Sequence, residues 1–282
     1  MVNPPFESEL EFDDSFLNGN LSIQYDISDD VMFYGSYGVG SKTGGFAESA
    51  EISSANPALS VADNGARVES EETNTFEIGA KMKLAGGSAS LNVAVFNTEI
   101  DDFQETSFLV SGGQAFFLTR NIDVESDGFE VDGLWQVTEG FRLIGGATYA
   151  DSINAFDGTK LAQAPEWTGN LGFLFERELW SETLLSVTGF ARYRDDMFSQ
   201  INETFASDSL TTLDLSLGLE FVSGWNVDLI ATNLTDEVSA DFSGPPAAPI
   251  GAIFGAPPGD QGITADSPSP LRSIKVQVST RF

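Results

Sequence analysis

The chain contains neither cysteine nor histidine. Their absence removes disulfide staples, thiolate zinc sites, Cys–His and Ser–His nucleophile pairs, and imidazole pH switches. A cysteine-free sequence also suits export into an oxidising compartment, where stray thiols mispair. Positive charge is scarce: 13 Lys and Arg stand against 43 Asp and Glu, for a net charge of -30. Nucleic acid is therefore excluded as a partner, because phosphate binding needs basic patches. No apolar run approaches the ~18 residues of a membrane-spanning helix. A spanning β-strand, by contrast, needs only ~9–11 residues with every second one apolar, so a barrel stays open. The opening residues MVNPPFESELEF have no basic region, apolar core or small-residue cleavage site and form no signal peptide. The expectation is that the mature protein begins elsewhere or that this is the tail of a longer chain.

What the sequence does have is a period of two. In PLRSIKVQVSTRF (Pro270–Phe282), Ile274, Val276, Val278, Thr280 and Phe282 fall on one face, and Lys275, Gln277, Ser279 and Arg281 on the other. This is a strand with one apolar and one polar side. A bare aromatic end on the apolar side suits the last strand of a closed barrel better than a fraying soluble terminus. The 28 glycines and 23 phenylalanines fit the same architecture, with aromatics at interfaces and glycine at crowded wall positions.

Eleven strands are expected, over 15–28, 31–46, 71–85, 88–104, 116–138, 141–155, 163–180, 182–199, 209–223, 225–236 and 270–282. The alternation is clean at Phe76, Ile78, Ala80, Met82 and Leu84, and again at Leu213, Leu215, Leu217, Leu219 and Phe221. The fifth strand changes phase between Val124 and Phe129, which places a bulge at Ser126-Asp127-Gly128. Short turns at 28–30, 86–87, 139–140, 181 and 224 alternate with long connections at about 47–70, 105–115, 156–162, 200–208 and 237–269. Tight periplasmic turns and extended outer loops give an outer-membrane barrel this rhythm. Tyr25, Phe33, Trp135, Phe141, Trp180, Phe221 and Trp225 sit beside the short turns, and with Phe282 would form the periplasmic aromatic girdle. An odd strand count places the first strand's start outside the cell and makes the sheet incomplete at its amino end, with Met1–Asp14 in an outer loop.

Several segments in order resemble the TonB-dependent outer-membrane receptors. They are LSIQYDISDDVMFYGSYGVGSKTGGF (Leu21–Phe46), with its Lys42-Thr43-Gly44-Gly45-Phe46 tip, ETNTFEIGAKMKL (Glu72–Leu84) and LNVAVFNTEIDDFQ (Leu91–Gln104). RNIDVESDGFEVDGLW (Arg120–Trp135), LAQAPEWTGNLGF (Leu161–Phe173) and VDLIATNLTD (Val227–Asp236) follow. The resemblance implies an all-β, antiparallel transmembrane barrel, with residues 1–282 forming the carboxy-terminal half of a 22-stranded barrel whose lumen holds a plug. The plug and the segment that engages TonB would lie outside the sequence. The implied activity is energised uptake of a scarce nutrient such as an iron–siderophore complex, with no transport by this portion alone. The implied partners are outer-membrane lipid, the barrel-assembly machinery, TonB through the plug, and a small ligand such as a metal chelate or an oligosaccharide. No cofactor is expected.

Lumen-facing charges are the candidate ligand contacts: Arg192 and Arg194 near the outer mouth, and Arg142. Phe108, Phe116 and Phe117 flank a loop and could stack on a ligand. Each has a plainer reading, as a solvated or paired wall charge or as loop packing. The acidic pairs Asp29-Asp30, Asp101-Asp102 and Asp195-Asp196 point to opposite faces of their strands or lie in a turn, so no general acid/base couple converges. The Pro/Gly-rich stretch 243–270 is expected to be a mobile outermost loop. Ile274, Val276, Val278, Thr280 and Phe282 resemble the signal read by the barrel-assembly machinery. Two other readings remain: a passive porin-like channel, and a soluble acidic β-protein that binds carbohydrate or calcium. Deleting Phe282 from the receptor should lower its level in purified outer membranes by immunoblot; an unchanged level would remove the assembly assignment.

Overall fold

The computed structural model describes residues 11–46, 67–111, 114–198, 206–242, 267–268 and 271–281. Eleven of its strands form one sheet: β1 (Gly19–Ser28), β2 (Val31–Lys42), β3 (Glu71–Leu84), β4 (Ala89–Ser111), β5 (Gln114–Thr138), β6 (Phe141–Asn154), β7 (Trp167–Glu178), β8 (Leu184–Arg194), β9 (Leu210–Glu220), β10 (Trp225–Thr232) and β11 (Ser273–Thr280). Each pairs with the next in chain order, so the sheet is an antiparallel meander with no crossover. All eleven expected strands are present. Among the described residues, β1 pairs only with β2 and β11 only with β10, which leaves the two edges apart.

The registers decide which side chains share a face. Leu21, Tyr37 and Phe76 fall in one transverse row, and Ile23, Gly35, Ile78, Val95, Phe129, Tyr149 and Trp167 in the next. On the far side Val187, Leu217, Leu229 and Val276 form another. Every such row belongs to one apolar face. The intervening residues, including Gln24, Glu77, Lys81, Glu130, Asp132, Arg192, Asp214 and Lys275, make up a polar face. No apolar core forms between layers; Val68, Ala80, Val124 and Ala231 are the buried hydrophobics among the described residues. Large apolar side chains stay open instead, such as Ile23 at 71% and Val276 at 67% exposure. A sheet this apolar on one side and this bare is a wall built for a non-aqueous surrounding.

Aromatic rings on the sheet lie over glycines directly across the ladder. Tyr34 pairs with Gly79, Phe96 with Gly128, Phe190 with Gly172 and Phe173 with Gly189. A methyl group on Gly79 would stand 2.6 Å from the Tyr34 ring, and one on Gly172 2.7 Å from the Phe190 ring. The cross-strand pair, rather than either residue alone, fills the space.

Two expectations need correction. The loop at 105–115 is largely strand: β4 and β5 run for 23 and 25 residues. Their pairing continues from Phe103↔Ile122 to Ser111↔Gln114, whereas β3 and β6 stop at Asp101 and Val124. An arm of roughly 30 Å thus projects past its neighbours. The second correction concerns the bulge. Register is unbroken across Ser126-Asp127-Gly128, and the irregularity lies opposite, where Asp101 and Asp102 together face Asp123. Val124 and Phe129 differ in phase because Val124 is on the polar face, where it is buried at 2% exposure. Of the expected loops at 47–70, 200–208 and 237–269, residues 47–66, 200–205, 243–266 and 269 fall outside the described residues.

Gly128 backs onto the Tyr149 carbonyl and the Phe96 ring, so a side chain there has no room. Gly128→Val should lower the heat-modifiable folded fraction on gels, at a cost of roughly 1–3 kcal/mol. Gly19→Ala, with nothing within 4 Å of the added methyl, should leave it unchanged.

Candidate ligand-facing wall and outer rim

The expected contacts do not converge on one point. Arg192 and Arg194 lie two apart on β8 and share the polar face near the long-loop end. Arg192 Nη1 is 2.5 Å from Asp214 Oδ2, and its guanidinium sits 4.4 Å from the centroid of the Phe190 ring. Asp214 also accepts the Asn233 backbone N–H at 2.9 Å. Arg192 is thus held flat against the wall but stays half exposed. Arg194 Nη2 donates to Ser207 Oγ at 3.1 Å and Ser239 Oγ at 2.9 Å. Both serines are buried, so Arg194 ties two loops to β8. Arg142 lies at the opposite end, beside the short turn before β6, where its Nε donates to Gln136 Oε1 at 2.8 Å. In the arm, Phe108 pairs with Phe117 and Leu109 with Phe116. These aromatics therefore belong to ladder positions in the arm.

The rim at the long-loop end is tied by side chains that bond to backbone. Gln104 Nε2 donates to the Thr43 and Glu69 carbonyls, both at 3.1 Å. Its own N–H donates to Glu71 Oε1 at 2.7 Å. Asn121 donates to the Glu69 carbonyl at 3.1 Å and the Asp102 carbonyl at 2.6 Å, and its Oδ1 accepts the Glu69 N–H at 2.9 Å. Two buried carboxylates are each matched: Glu71 by Lys42 at 3.0 Å and Glu105 by Arg120 at 2.8 Å. Such pairing is required, because a lone buried charge is expensive. The Lys42–Phe46 tip also packs here. Phe12 meets Phe46 edge-on at 6.3 Å and takes the Arg67 guanidinium over its ring at 5.1 Å. Gly44 abuts the Val68 carbonyl and the Phe12 ring, so only glycine fits.

Electrostatics at the rim follow from these contacts. Burial raises the Asp102 carboxyl above its ordinary range, and Asp123, Glu69 and Asp101 add to the shift. Asp102 sits at the bulge with a φ of 56° and donates its N–H to Asp123 Oδ1 at 3.1 Å. In the β6–β7 loop, Lys160 bridges Asp151 and Glu166, each at 2.6 Å, and is held more strongly protonated by those bonds. Asp157 is lowered by the Thr159 hydroxyl and N–H that donate to it.

Sequence reading missed a second aromatic belt. Phe129, Tyr149 and Trp167 form a continuous cluster on the apolar face, with ring centroids 5.0–5.7 Å apart. It lies at the end opposite Trp135, Phe141, Trp180 and Trp225. Its signal was available as aromatics recurring on the apolar face of three consecutive strands. Ile274, Val276 and Val278 are exposed on the apolar face of β11, and Thr280 pairs with Trp225. Phe282 lies outside the described residues. No cluster of three or more metal-ligating side chains occurs among the described residues.

An antiparallel meander, apolar on one face and polar on the other, with short turns at one end and elaborated loops at the other, defines the wall of an outer-membrane-type β-barrel. The family model for the TonB dependent receptor-like β-barrel matches residues 4–234, and the chain belongs to that family. The metal-pseudopaline receptor CntO of Pseudomonas aeruginosa is 25% identical over 183 residues, covering 61% of this chain and 25% of the receptor. The ferric yersiniabactin uptake receptor FyuA of Yersinia pestis superposes with a TM-score of 0.71 at 17% identity, covering 93% of this chain and 36% of that one. For the copper transporter OprC the TM-score is 0.68 at 15% identity, with 94% and 39% covered. The chain thus spans about a quarter of its curated relative and between a third and two fifths of these structures.

Asn121→Ala removes three bonds from the rim and should cost roughly 1–3 kcal/mol, read as faster amide exchange at Glu69 and in the arm. A carboxyl whose folded pKa is raised favours the folded form at low pH, and that contribution is lost as pH rises through the folded value. Exchange protection near Asp102, corrected for intrinsic rates, should therefore be greater in mild acid than at neutrality. The difference should vanish in Asp102→Asn.

Proposed function

We propose that residues 1–282 are barrel wall of an outer-membrane receptor that takes up a scarce metal in chelated form. The observation that carries this reading is the family match, joined to a sheet whose alternating residues put a band of apolar side chains on one face and most of the charges on the other. The apolar face would meet lipid and the polar face would line the lumen. The short turns would face the periplasm and the rim the medium. The relatives named above are receptors or transporters for metals and metal chelates, which favours that ligand class over oligosaccharide.

Uptake would be energised through a plug domain that engages TonB, and insertion would use the barrel-assembly machinery. The described sheet by itself would not transport, because the β1 and β11 edges leave backbone groups unpaired that lipid cannot satisfy. Arg192 and Arg194 are the proposed lumen contacts for an anionic chelate. A ligand carboxylate or catecholate would compete with Asp214 for Arg192. Arg142 is too far down the wall to share that contact and would meet a ligand only in passage.

The test is uptake of radiolabelled metal chelates by cells that lack the receptor gene and by complemented cells. Loss of one chelate's uptake, restored by complementation and abolished by collapsing the inner-membrane proton gradient, is expected. Arg192→Ala should weaken binding of that chelate roughly tenfold or more, the worth of one charge-assisted hydrogen bond. Gradient-independent flux, or steady ion conductance in planar bilayers, would instead identify a passive channel.

A further inference from the structure

The apolar face is a dense wall of Leu, Val and Phe that dips at several places among the described residues, and one of these dips spans two adjacent strands near the short turns. Gly133 on β5 and Gly145 on β6 lie directly opposite each other, so two adjacent strands lack side chains at the same level. Leu91 and Leu171 continue that row on either side. The gap opens a trough of about 380 Å³ whose apolar walls are Leu84, Ala89, Leu91, Trp135, Leu143 and Leu171. A Cβ on Gly133 would stand 2.9 Å from the Ser90 carbonyl, and one on Gly145 3.1 Å from the Asn170 carbonyl. A side chain at either position would crowd the backbone of the neighbouring strand, which favours the bare floor.

We infer that this trough seats one acyl chain of a periplasmic-leaflet phospholipid, an assignment that rests on the membrane-barrel reading above. Its lower end, at Leu84 and Ala89, flanks the short turn Ala85–Gly87. Its upper end, at Leu171, lies well up β7 from the next short turn. Crossing from β3 to β7 takes four strand spacings, about 19 Å. With strands tilted ~45° to the membrane normal, that crossing rises about 13 Å, comparable with the ~15 Å of one leaflet of a ~30 Å hydrocarbon core. Trp135, 47% exposed, stands at the lower end, where an indole marks the membrane–water boundary. The trough is continuous with the lipid-facing band. Its volume is far below that of a helix ~10–12 Å across, which excludes a transmembrane helix as occupant. No charged side chain lines it, so the seat selects the chain and is indifferent to the headgroup.

A photo-crosslinking amino acid, benzoylphenylalanine, placed at Leu171 and separately at Leu215 of the receptor in its own outer membrane tests the assignment. Both positions face outward on the apolar side, at 62% and 41% exposure, and only Leu171 borders the trough. Folding is followed by heat-modifiable mobility, and adducts are weighed by mass spectrometry. Phospholipid adducts are expected at both positions, with a yield at Leu171 roughly fourfold higher, since burying even about one methylene shifts occupancy by that much. Leu91→Phe, which fills the trough from its wall without altering either glycine, should bring the Leu171 yield down to that at Leu215. Equal yields in the unaltered trough, or protein adducts at Leu171, would overturn the seat while leaving the membrane reading intact. Absence of lipid adducts at both positions would overturn the membrane reading itself.

Discussion

Everything in this structure depends on the backbone ladder between consecutive strands. In a non-aqueous wall each N–H and C=O must find its partner in a neighbouring strand, because nothing else is available to bond it. Once one register is set, the period of two carries the polarity of every side chain around the sheet, and a slip of one residue would turn a whole strand inside out. Leu21, Tyr37 and Phe76 share a row for this reason alone. The aromatic–glycine pairs serve the same constraint. Tyr34 over Gly79 and Phe96 over Gly128 leave room for a large ring while the ladder beneath stays regular.

The rim follows different physics. Where strands end, backbone groups lose their ladder partners, and side chains replace them. Gln104 and Asn121 each bond several main-chain groups of neighbouring segments, which fixes the base of the arm to the β2–β3 connection. Charges can be buried here because each has an opposite partner, as with Glu71 and Lys42 or Glu105 and Arg120. The wall is generic and the rim particular: the wall repeats one alternation from strand to strand, whereas the rim depends on individual side chains.

This division also bears on ligand recognition. Arg192 combines exposure toward the polar face with a single carboxylate partner among the described residues, which supports its proposed role as a ligand contact. Arg194, bonded to two buried hydroxyls, also ties two loops to the wall beside that proposed contact. The named relatives handle different metals and chelates on a shared wall. This chain is only 15–25% identical to them, consistent with a fold maintained by alternation.

The sequence by itself determined the number of strands, their order, their polarity and the short-turn girdle, because these rest on a period of two that can be read one residue at a time. The arm escaped that reading. Its segment SFLVSGGQAFFLT has consecutive apolar residues, and only the Gly112-Gly113 pair hinted at a two-residue turn. The bulge was misplaced for a related reason: a phase change in one strand looks the same whether the irregularity lies in that strand or a rim valine such as Val124 simply faces inward. Tertiary structure alone decided that Asp101 and Asp102 share one partner, that Arg192 meets Asp214, and that Gly133 and Gly145 coincide in one row. These facts depend on which residue of a distant strand stands opposite. A single strand's pattern fixes its faces but not its offset against its neighbours, and that offset appears only when the strands pair.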